Sequence, residues 1–282
     1  MDKLKVSFSW DLHWACNYRC PYCWWHGKWE EYGRRNIYPG TKKVLEIWED
    51  IYKKYGQVHI EIAGGEPSTY PDFAGVISGL LDYHTLGIIT NLSSGANELL
   101  EKCSDDKLKR LKLGATFHPL FADIEMFLKN VKILKAKGVS VGVLYLAYPE
   151  QVHDIPRYKE IFDRNGIHFS VLTFWGEYKN KKYPESYTDE ELSIIYPELE
   201  KRAGEKFQTK PFITKGKLCN AGFTYAIIHP DGEILRCGGG SWKGENIKLG
   251  NLFGKIELWN EPKPCHSQYC PCNEWAFLLV EK

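Results

Sequence analysis

The hydrophobic positions of this chain follow two spacings that alternate over its first two thirds. Short runs rich in β-branched residues are typical of strands. Between these runs, apolar residues recur at every third or fourth position, which predicts amphipathic helices such as 44–55 and 123–137. The runs that predict strands are 4–12, 58–64, 86–91, 111–117, 139–147 and 167–175.

The predicted helices have recognisable ends. Gly56, Gly138 and Gly166 stand where helices should stop, because glycine suits the left-handed conformation that closes a helix. Thr188, with Glu191 three residues later, is typical of a helix start at which the two residues cap each other. The strands and helices therefore have defined boundaries in the sequence itself.

Strand and helix alternate six times over about the first 205 residues. This order predicts a parallel sheet with right-handed crossovers. Six units are too few for a closed eight-stranded barrel, so an open partial barrel and a doubly wound sheet both fit the pattern. In either fold the active site lies at the carboxyl ends of the strands, which is where polar and metal-binding residues gather in this sequence.

The alternation stops beyond residue 205, in a region rich in Gly and Cys. The stretch 224–237 ("TYAIIHPDGEILRC") predicts a hairpin with its turn at Pro230-Asp231-Gly232. We place a boundary near 208–212, which divides the chain into a first domain, 1–208, and a second, 209–282. The second is small for an independent core, so its cysteines are expected to stabilise it through metal binding.

Charge and hydropathy exclude several classes of protein. The chain has 282 residues and a net charge of +1, from 37 basic and 36 acidic side chains. No like-charged block indicates a nucleic-acid partner. No stretch approaches the ~20 apolar residues that span a bilayer, and no apolar signal segment opens the chain. We therefore expect a cytoplasmic protein with neither nucleic-acid nor membrane partners.

The first group of cysteines follows the first predicted strand. Cys16, Cys20 and Cys23 have the spacing C-x3-C-x2-C, which lets one loop direct three thiolates to three corners of a cubane. A [4Fe-4S] cluster held in this way keeps one iron without a protein ligand, and an open coordination position is typical of catalytic metals. The alternative is a zinc site with a distant fourth ligand, His26 or His13.

These residues resemble a known family. The run "CNYRCPYC" and the "GGEP" that follows the second strand are similar to the motifs of the radical S-adenosylmethionine (SAM) enzymes. The resemblance implies a partial (β/α)6 barrel of the TIM type, followed here by a small Cys-rich domain that contains the hairpin. It also implies that SAM chelates the open iron and is cleaved reductively to methionine and a 5′-deoxyadenosyl radical, which takes a hydrogen atom from a substrate.

The resemblance assigns the other site residues by position. Tyr22, just before the third cysteine, is expected near the adenine of SAM. Thr116 matches a polar strand end that contacts the ribose or carboxylate, as do Thr90 and Asn91 at the end of the third strand. The SAM amino group is expected to bind at Gly64, Gly65, Glu66 and Pro67.

His118 stands at the end of the fourth predicted strand and faces the predicted pocket. It is a candidate proton acceptor for the substrate. The alternative is a hydrogen-bonded structural histidine at the turn before Pro119. The sequence leaves both interpretations open.

The second group of cysteines lies in the tail. Cys219 and Cys237 flank the hairpin in the pattern C-x12-G-x4-C, and Cys265, Cys270 and Cys272 follow. This resembles the twitch domain, a short form of the SPASM domain, which implies one auxiliary [4Fe-4S] cluster. The later cysteines are spaced C-x4-C-x-C where that family has C-x2-C, so which two of them are ligands stays open. A structural zinc site is the alternative.

Together these features predict an iron–sulfur oxidoreductase that draws electrons from a protein such as flavodoxin or ferredoxin. We favour a small polar substrate, such as a sugar or aminocyclitol, because no leader-binding domain precedes the first strand. A peptide or protein maturase that forms crosslinks or epimerises residues is the second hypothesis. A non-catalytic zinc or iron–sulfur protein is the third.

Overall fold

A computed structural model describes residues 6–199, 212–238, 247–270 and 275–280. All six predicted strands of the first part of the chain are present, within two or three residues of their expected bounds. They are β1 (Ser7–His13), β2 (His59–Gly64), β3 (Thr85–Thr90), β4 (Leu111–Thr116), β5 (Ser140–Ala147) and β6 (Phe169–Thr173). Short strands follow: β7 (Gly176–Tyr178), β8 (Lys181–Tyr183), β9 (Phe212–Ile213), β10 (Leu218–Cys219), β11 (Tyr225–Ile228), β12 (Glu233–Leu235), β13 (Lys248–Asn251), β14 (Lys263–Pro264) and β15 (Tyr269–Cys270).

Helices alternate with the first six strands, as the hydrophobic spacing predicts. They are α1 (Trp29–Gly33), α2 (Thr41–Tyr55), α3 (Phe73–Leu80), α4 (Ala96–Lys102), α5 (Asp105–Leu108), α6 (Ile124–Ala136), α7 (Ile155–Arg164), α8 (Asp189–Ile195) and α9 (Trp275–Leu278). The three glycines expected at helix ends all have positive φ, and Thr188 and Glu191 cap each other at the start of α8. No helix in the described ranges is long and apolar enough to cross a membrane.

The strands form one large open sheet in the order β13-β12-β11-β1-β2-β3-β4-β5-β6. All neighbours from β11 to β6 are parallel, whereas β12 and β13 are antiparallel additions at one side. In the part of the chain that the structure describes, the outer strands β13 and β6 do not pair with each other. The fold is therefore a mixed α/β fold with a largely parallel sheet, as a partial barrel requires, and the fold prediction is confirmed.

The core lies between this sheet and its helices. On β1 the apolar side chains alternate with polar ones, so that Phe8 and Trp10 face the helices. Both rings contact the fully buried Trp48 of α2, at centroid distances of 5.8 and 5.3 Å. The same alternation places Ser9 and Asp11 on the opposite face of the sheet, away from α2.

The predicted hairpin is present, and the structure shows where it packs. Its first strand, β11, pairs in parallel with β1, so the hairpin extends the main sheet. An ion pair reinforces the contact: the Arg35 guanidinium lies 2.6 Å from the Asp231 carboxylate in the hairpin turn and 3.4 Å from Glu233. The predicted domain boundary at 208–212 lies mostly outside the described residues, which resume at 212, so the division at 208 stays a prediction.

Candidate functional site

The carboxyl ends of β1 to β4 meet at one rim of the sheet, and most of the predicted site residues lie there. The cysteine loop follows β1, Gly65-Glu66-Pro67 follows β2, Asn91 follows β3 and His118 follows β4 by two residues. Adjacent parallel strands end side by side, so residues distant in sequence become neighbours. The rim is therefore the candidate active site.

Gly64 and Gly65 bring the end of β2 against the backbone that leads into the cysteine loop. The Gly65 amide donates to the His13 carbonyl at 2.7 Å, and the Glu66 amide donates to the Ala15 carbonyl at 2.9 Å. A Cβ on Gly65 would lie 1.9 Å from the Ala15 oxygen, and one on Gly64 would lie 2.2 Å from the His13 oxygen. Only glycine fits such an approach, so the pair positions the residue just before Cys16.

The Glu66 carboxylate lies beneath this contact and is almost completely buried, at 1% exposure. Its Oε1 accepts from the Ser68 amide and hydroxyl and, at 2.6 Å, from the Thr90 hydroxyl. Its Oε2 accepts from the Asn91 amide, also at 2.6 Å. Hydrogen bonds to a charged group are the stronger kind, so Glu66 ties the end of β2 firmly to the end of β3.

Asn91 extends this network to the cysteine loop. Its side-chain amide donates to the Asn17 oxygen at 2.9 Å, and Asn17 in turn donates to the Ser93 hydroxyl at 2.8 Å. Asn17 lies between the first two cysteines of the loop. The structure thus brings together the loop, Glu66, Thr90 and Asn91. Thr116, by contrast, is half-buried at the end of β4, beside Leu144 of β5.

The three thiols of the loop are partly or wholly buried and unpaired by disulfides. Burial raises the pKa of Cys16 and Cys23 and raises that of Cys20 to about 12. Nearby donors oppose this shift: the Tyr18 amide reaches Cys16 Sγ at 3.3 Å, and the Tyr22 hydroxyl interacts with Cys20. Without a metal the thiols keep their protons, and a bound cation would displace them.

His118 is packed beside these thiols. Its Nδ1 lies 3.0 Å from the Tyr22 hydroxyl and 3.7 Å from Cys20 Sγ, and its ring stacks on that of Tyr22 at a centroid distance of 5.7 Å. Burial lowers the pKa of His118 to about 4, so the imidazole is neutral at pH 7. Tyr22 also packs against Tyr148, 5.0 Å away, at the end of β5.

The donor set of the loop suits a polynuclear cluster. In the described ranges, no three Cys, His, Asp or Glu side chains lie close enough to hold one metal ion. A cubane spreads its three thiolate ligands over separate irons and does not need such convergence. Amide and hydroxyl donors already surround the sulfurs, as they do the sulfurs of iron–sulfur sites. The residues present therefore fit a [4Fe-4S] cluster.

The tail brings three of its cysteines into one small cluster. Cys219 belongs to the buried part of this cluster, and Cys237 and Cys265 pack against it. The segments that carry Cys219 and Cys265 are neighbours: β10, which contains Cys219, pairs with β14, and the amide of Cys265, the residue after β14, donates to the Lys217 carbonyl. Cys270 lies in β15, which pairs with β9. Cys272 lies outside the described residues.

Arg236 connects the segments that carry these three cysteines. Its guanidinium is 2% exposed and donates to the carbonyls of Ala221, at 3.0 Å, and Pro264, at 3.0 Å. It also donates to the Lys263 carbonyl at 2.8 Å and lies 4.7 Å from the Trp259 ring centroid. Arg236 immediately precedes Cys237, so one buried side chain bridges three parts of the candidate cluster site.

Sequence reasoning missed three residues of these sites. Asn17 lies inside the cysteine motif, and its position between two ligands was the available signal. Asp11 lies on the face of β1 opposite the core and accepts from the Trp14 indole at 2.9 Å; a polar residue at an alternating strand position was its signal. Arg236 had no signal in the sequence, because its partners are distant carbonyl groups.

Comparisons with known proteins place the chain in a family. A profile described as the Radical SAM superfamily matches residues 15–161, more than half of the chain. No curated protein sequence matches the chain.

Solved structures share its fold. The structure of Streptococcus suis SuiB bound to S-adenosylmethionine matches with a TM-score of 0.59 and 17% identity, over 90% of this chain and 64% of SuiB. The structure of SuiB bound to precursor peptide SuiA matches with a TM-score of 0.58 and 18% identity, over 91% of this chain and 64% of SuiB. The structure of native anSMEcpe with bound AdoMet and Cp18Cys peptide matches with a TM-score of 0.61 and 12% identity, over 90% of this chain and 79% of anSMEcpe. The chain thus spans less than two thirds of the length of SuiB.

The Gly65–Ala15 contact predicts a large effect of a single methyl group. We expect Gly65→Ala to lower the free energy of unfolding by about 3 kcal/mol, because the new Cβ overlaps a backbone oxygen that cannot move aside without displacing the cysteine loop. Urea unfolding followed by tryptophan fluorescence measures the change. Gly33→Ala in α1 is the matched control, since a Cβ there meets nothing within 4 Å. Equal stability of the two variants would contradict the assigned role of Gly65.

Proposed function

The chain belongs to the radical SAM superfamily, and on this premise we propose that Cys16, Cys20 and Cys23 hold a [4Fe-4S] cluster whose fourth iron binds SAM. When bound, the cluster supplies the electron that cleaves SAM to methionine and a 5′-deoxyadenosyl radical. The observation that carries this proposal is the network that ties the cysteine loop to Gly65, Glu66 and Asn91. It makes the thiol site and the proposed SAM site a single unit.

Within this unit the chain's residues have separate tasks. Gly64 to Pro67 are proposed to bind the SAM amino group. Glu66 Oε2 accepts one described hydrogen bond, from Asn91, and a carboxylate oxygen has capacity for a second, from an ammonium. Tyr22 next to the adenine, and Thr90, Asn91 and Thr116 next to the ribose or carboxylate, stay predictions, as does His118 as a proton acceptor.

A second proposal concerns the tail. Cys219, Cys237 and Cys265, together with Cys270 or Cys272, are proposed to hold an auxiliary [4Fe-4S] cluster in a twitch-like domain, 209–282. The support is the packing of the first three thiols in one cluster and the Arg236 bridge between their segments. Held by these thiolates, such a cluster would supply an acceptor for one electron from a product radical, and the net reaction would then be an oxidation.

For the substrate we propose a small polar molecule of the sugar or aminocyclitol type. Its support is Asp11, on the face of β1 that points away from α2 and five residues before Cys16. Burial raises the pKa of this carboxyl to about 6, so it is ionised at pH 7 and above and can bind an ammonium or hydroxyl group. A peptide is the second candidate, because SuiB and anSMEcpe, which share the fold, have been solved with bound peptides.

The other parts of the proposal follow from the chemistry. An enzyme that cleaves SAM reductively requires a low-potential electron donor, for which flavodoxin or ferredoxin is suitable. We therefore propose that the protein is an oxidoreductase. We also propose that it acts in the cytoplasm. A non-catalytic zinc or iron–sulfur protein is the competing hypothesis; metal content tests its zinc form, and SAM cleavage tests its iron–sulfur form.

The first cluster is tested by SAM cleavage. We expect reduced, anaerobically prepared protein to form 5′-deoxyadenosine, and Cys20→Ala to reduce this to background because one of three iron ligands is lost. Product is measured by liquid chromatography. Cys103→Ala is the control, since Cys103 is also buried but lies at the end of α4, apart from both cysteine groups. Cleavage by the Cys20 variant at the parental rate would refute the assignment.

The auxiliary cluster is tested by iron content. Protein with two [4Fe-4S] clusters holds about eight irons, and Cys237→Ala should hold about four, with SAM cleavage in the absence of substrate retained. Iron and zinc are measured by plasma emission spectrometry. About four irons in both the parent protein and the Cys237 variant would refute the proposal of an auxiliary cluster. Colourless protein rich in zinc would support the non-catalytic alternative.

The substrate class is tested by the transfer of deuterium from a labelled substrate into 5′-deoxyadenosine. Panels of aminocyclitols and sugars on one side, and of peptides on the other, are compared for deuterium transfer from labelled compound into 5′-deoxyadenosine. We expect transfer from the aminocyclitols and sugars.

Asp11→Asn should then raise KM for that substrate about tenfold, because a charge-assisted contact is lost. For an ammonium-bearing substrate, KM of the parent should also rise as pH falls through about 6. Transfer from peptides alone would favour the peptide candidate.

A further inference from the structure

Three tryptophans follow the third cysteine of the loop, and they differ sharply in surroundings. Trp24 is 59% exposed. The indole N–H groups of Trp25 and Trp29 are buried, and neither forms a well-aligned hydrogen bond with any residue that the structure describes. An indole nitrogen only donates, so a buried N–H without an acceptor carries a free-energy cost.

The neighbourhood of the Trp29 indole differs from that of the Trp48 indole. The N–H of Trp48 also lacks an acceptor among the described residues, but Trp48 lies in the hydrophobic core among apolar rings. The Trp29 indole, by contrast, lies against the cysteine loop, because its ring contacts Arg19, which stands between the first two cysteines. Burial raises the pKa of the Cys23 thiol, and the Trp25 backbone amide and the Trp29 indole both oppose that rise. The structure shows no hydrogen bond between the Cys23 and Trp29 side chains, so the Trp29 N–H is a buried donor beside the cysteine loop that still lacks an acceptor within the described part of the chain.

Two backbone turns join Cys23 to Trp29. The His26 amide donates to the Cys23 carbonyl at 2.9 Å, and the Lys28 amide donates to the Trp25 carbonyl at 2.8 Å. Between these two turns Gly27 has a φ of 73°. The segment therefore turns twice within six residues before α1 begins at Trp29.

Further contacts hold the Trp29 ring in place. The Arg19 guanidinium lies 5.3 Å from its centroid, and the His26 ring meets it edge-on at 5.3 Å. Arg19 also donates to the carbonyls of Cys16 and Tyr18, which ties it to the backbone of the cysteine loop. The ring is thus supported from the same loop that carries the thiols.

We propose that Trp29 is a positioning residue for the first cluster: its indole N–H donates to the Cys23 sulfur when that sulfur is a metal-bound thiolate, and it raises the reduction potential of the cluster. This inference rests on the proposed function, because it requires a cluster on Cys16, Cys20 and Cys23. A thiolate is a better acceptor than a thiol, so metal binding would supply the acceptor that the indole N–H lacks among the described residues.

The direction of the effect follows from charge. Reduction adds one negative charge to the cluster and its thiolates. A donor to one of the sulfurs stabilises the more negative state and therefore raises the potential, as hydrogen bonds do in iron–sulfur sites generally. Removal of the N–H should make the cluster harder to reduce.

The test is a redox titration of Trp29→Phe in the full chain with reconstituted clusters, followed by electron paramagnetic resonance. The first cluster is identified as the signal that Cys20→Ala loses. We expect a several-fold fall in its reduced fraction at a fixed potential; a tenfold fall in the reduced-to-oxidised ratio corresponds to about 59 mV for a one-electron couple. Trp24→Phe, which removes the exposed neighbouring indole, should leave the fraction unchanged.

A second variant separates the hydrogen bond from packing. Benzothienylalanine at position 29 keeps the shape of the tryptophan and replaces only the N–H by sulfur, so it should reproduce the shift even where phenylalanine disturbs the loop. An unchanged reduced fraction with the isostere would overturn the proposal and leave Trp29 as a packing residue. Parent protein without a signal that depends on Cys20 would overturn the proposed function itself, and the inference with it.

Discussion

The close contact between two backbone segments is the constraint on which the rest of the site depends. The chain before Cys16 lies against Gly64 and Gly65 at a distance that no side chain larger than hydrogen permits. Two amide-to-carbonyl hydrogen bonds hold this contact, and the buried Glu66 carboxylate beneath it is satisfied by donors from the end of β3. The position of the thiol loop is therefore set by the sheet, although the loop itself is irregular.

This arrangement explains how an irregular loop can hold three cysteine thiols in position for a metal cluster. Three thiols with raised pKa values are costly to ionise without a metal, so the loop must stay in place while its ligands are still protonated. The Asn17–Asn91 hydrogen bond and the Gly65 contact give it that support from β2 and β3. The indole of Trp29 adds a donor whose acceptor strengthens only when the thiol loses its proton.

The main sheet also supports the second cysteine-bearing region. The hairpin that separates Cys219 from Cys237 continues the main sheet through the pairing of β11 with β1. Since β1 leads directly into the first cysteine loop, the two cysteine-bearing regions share one strand pair as their common support. The ion pair between Arg35 and Asp231 joins the segment after the first loop to the turn of the hairpin.

The sequence by itself determined the six strand–helix units, the helix ends and the two short motifs of the rim. These features depend on residues close together in the chain, because strand and helix spacing, capping and motif spacing are local properties. The tertiary structure decided the rest. It alone showed that Glu66 is satisfied by Thr90 and Asn91, that β11 pairs with β1, and that Arg236 bridges three cysteine-bearing segments. Each of these contacts joins residues far apart in sequence, and a polar side chain carries no local mark of the distant group that it will bind.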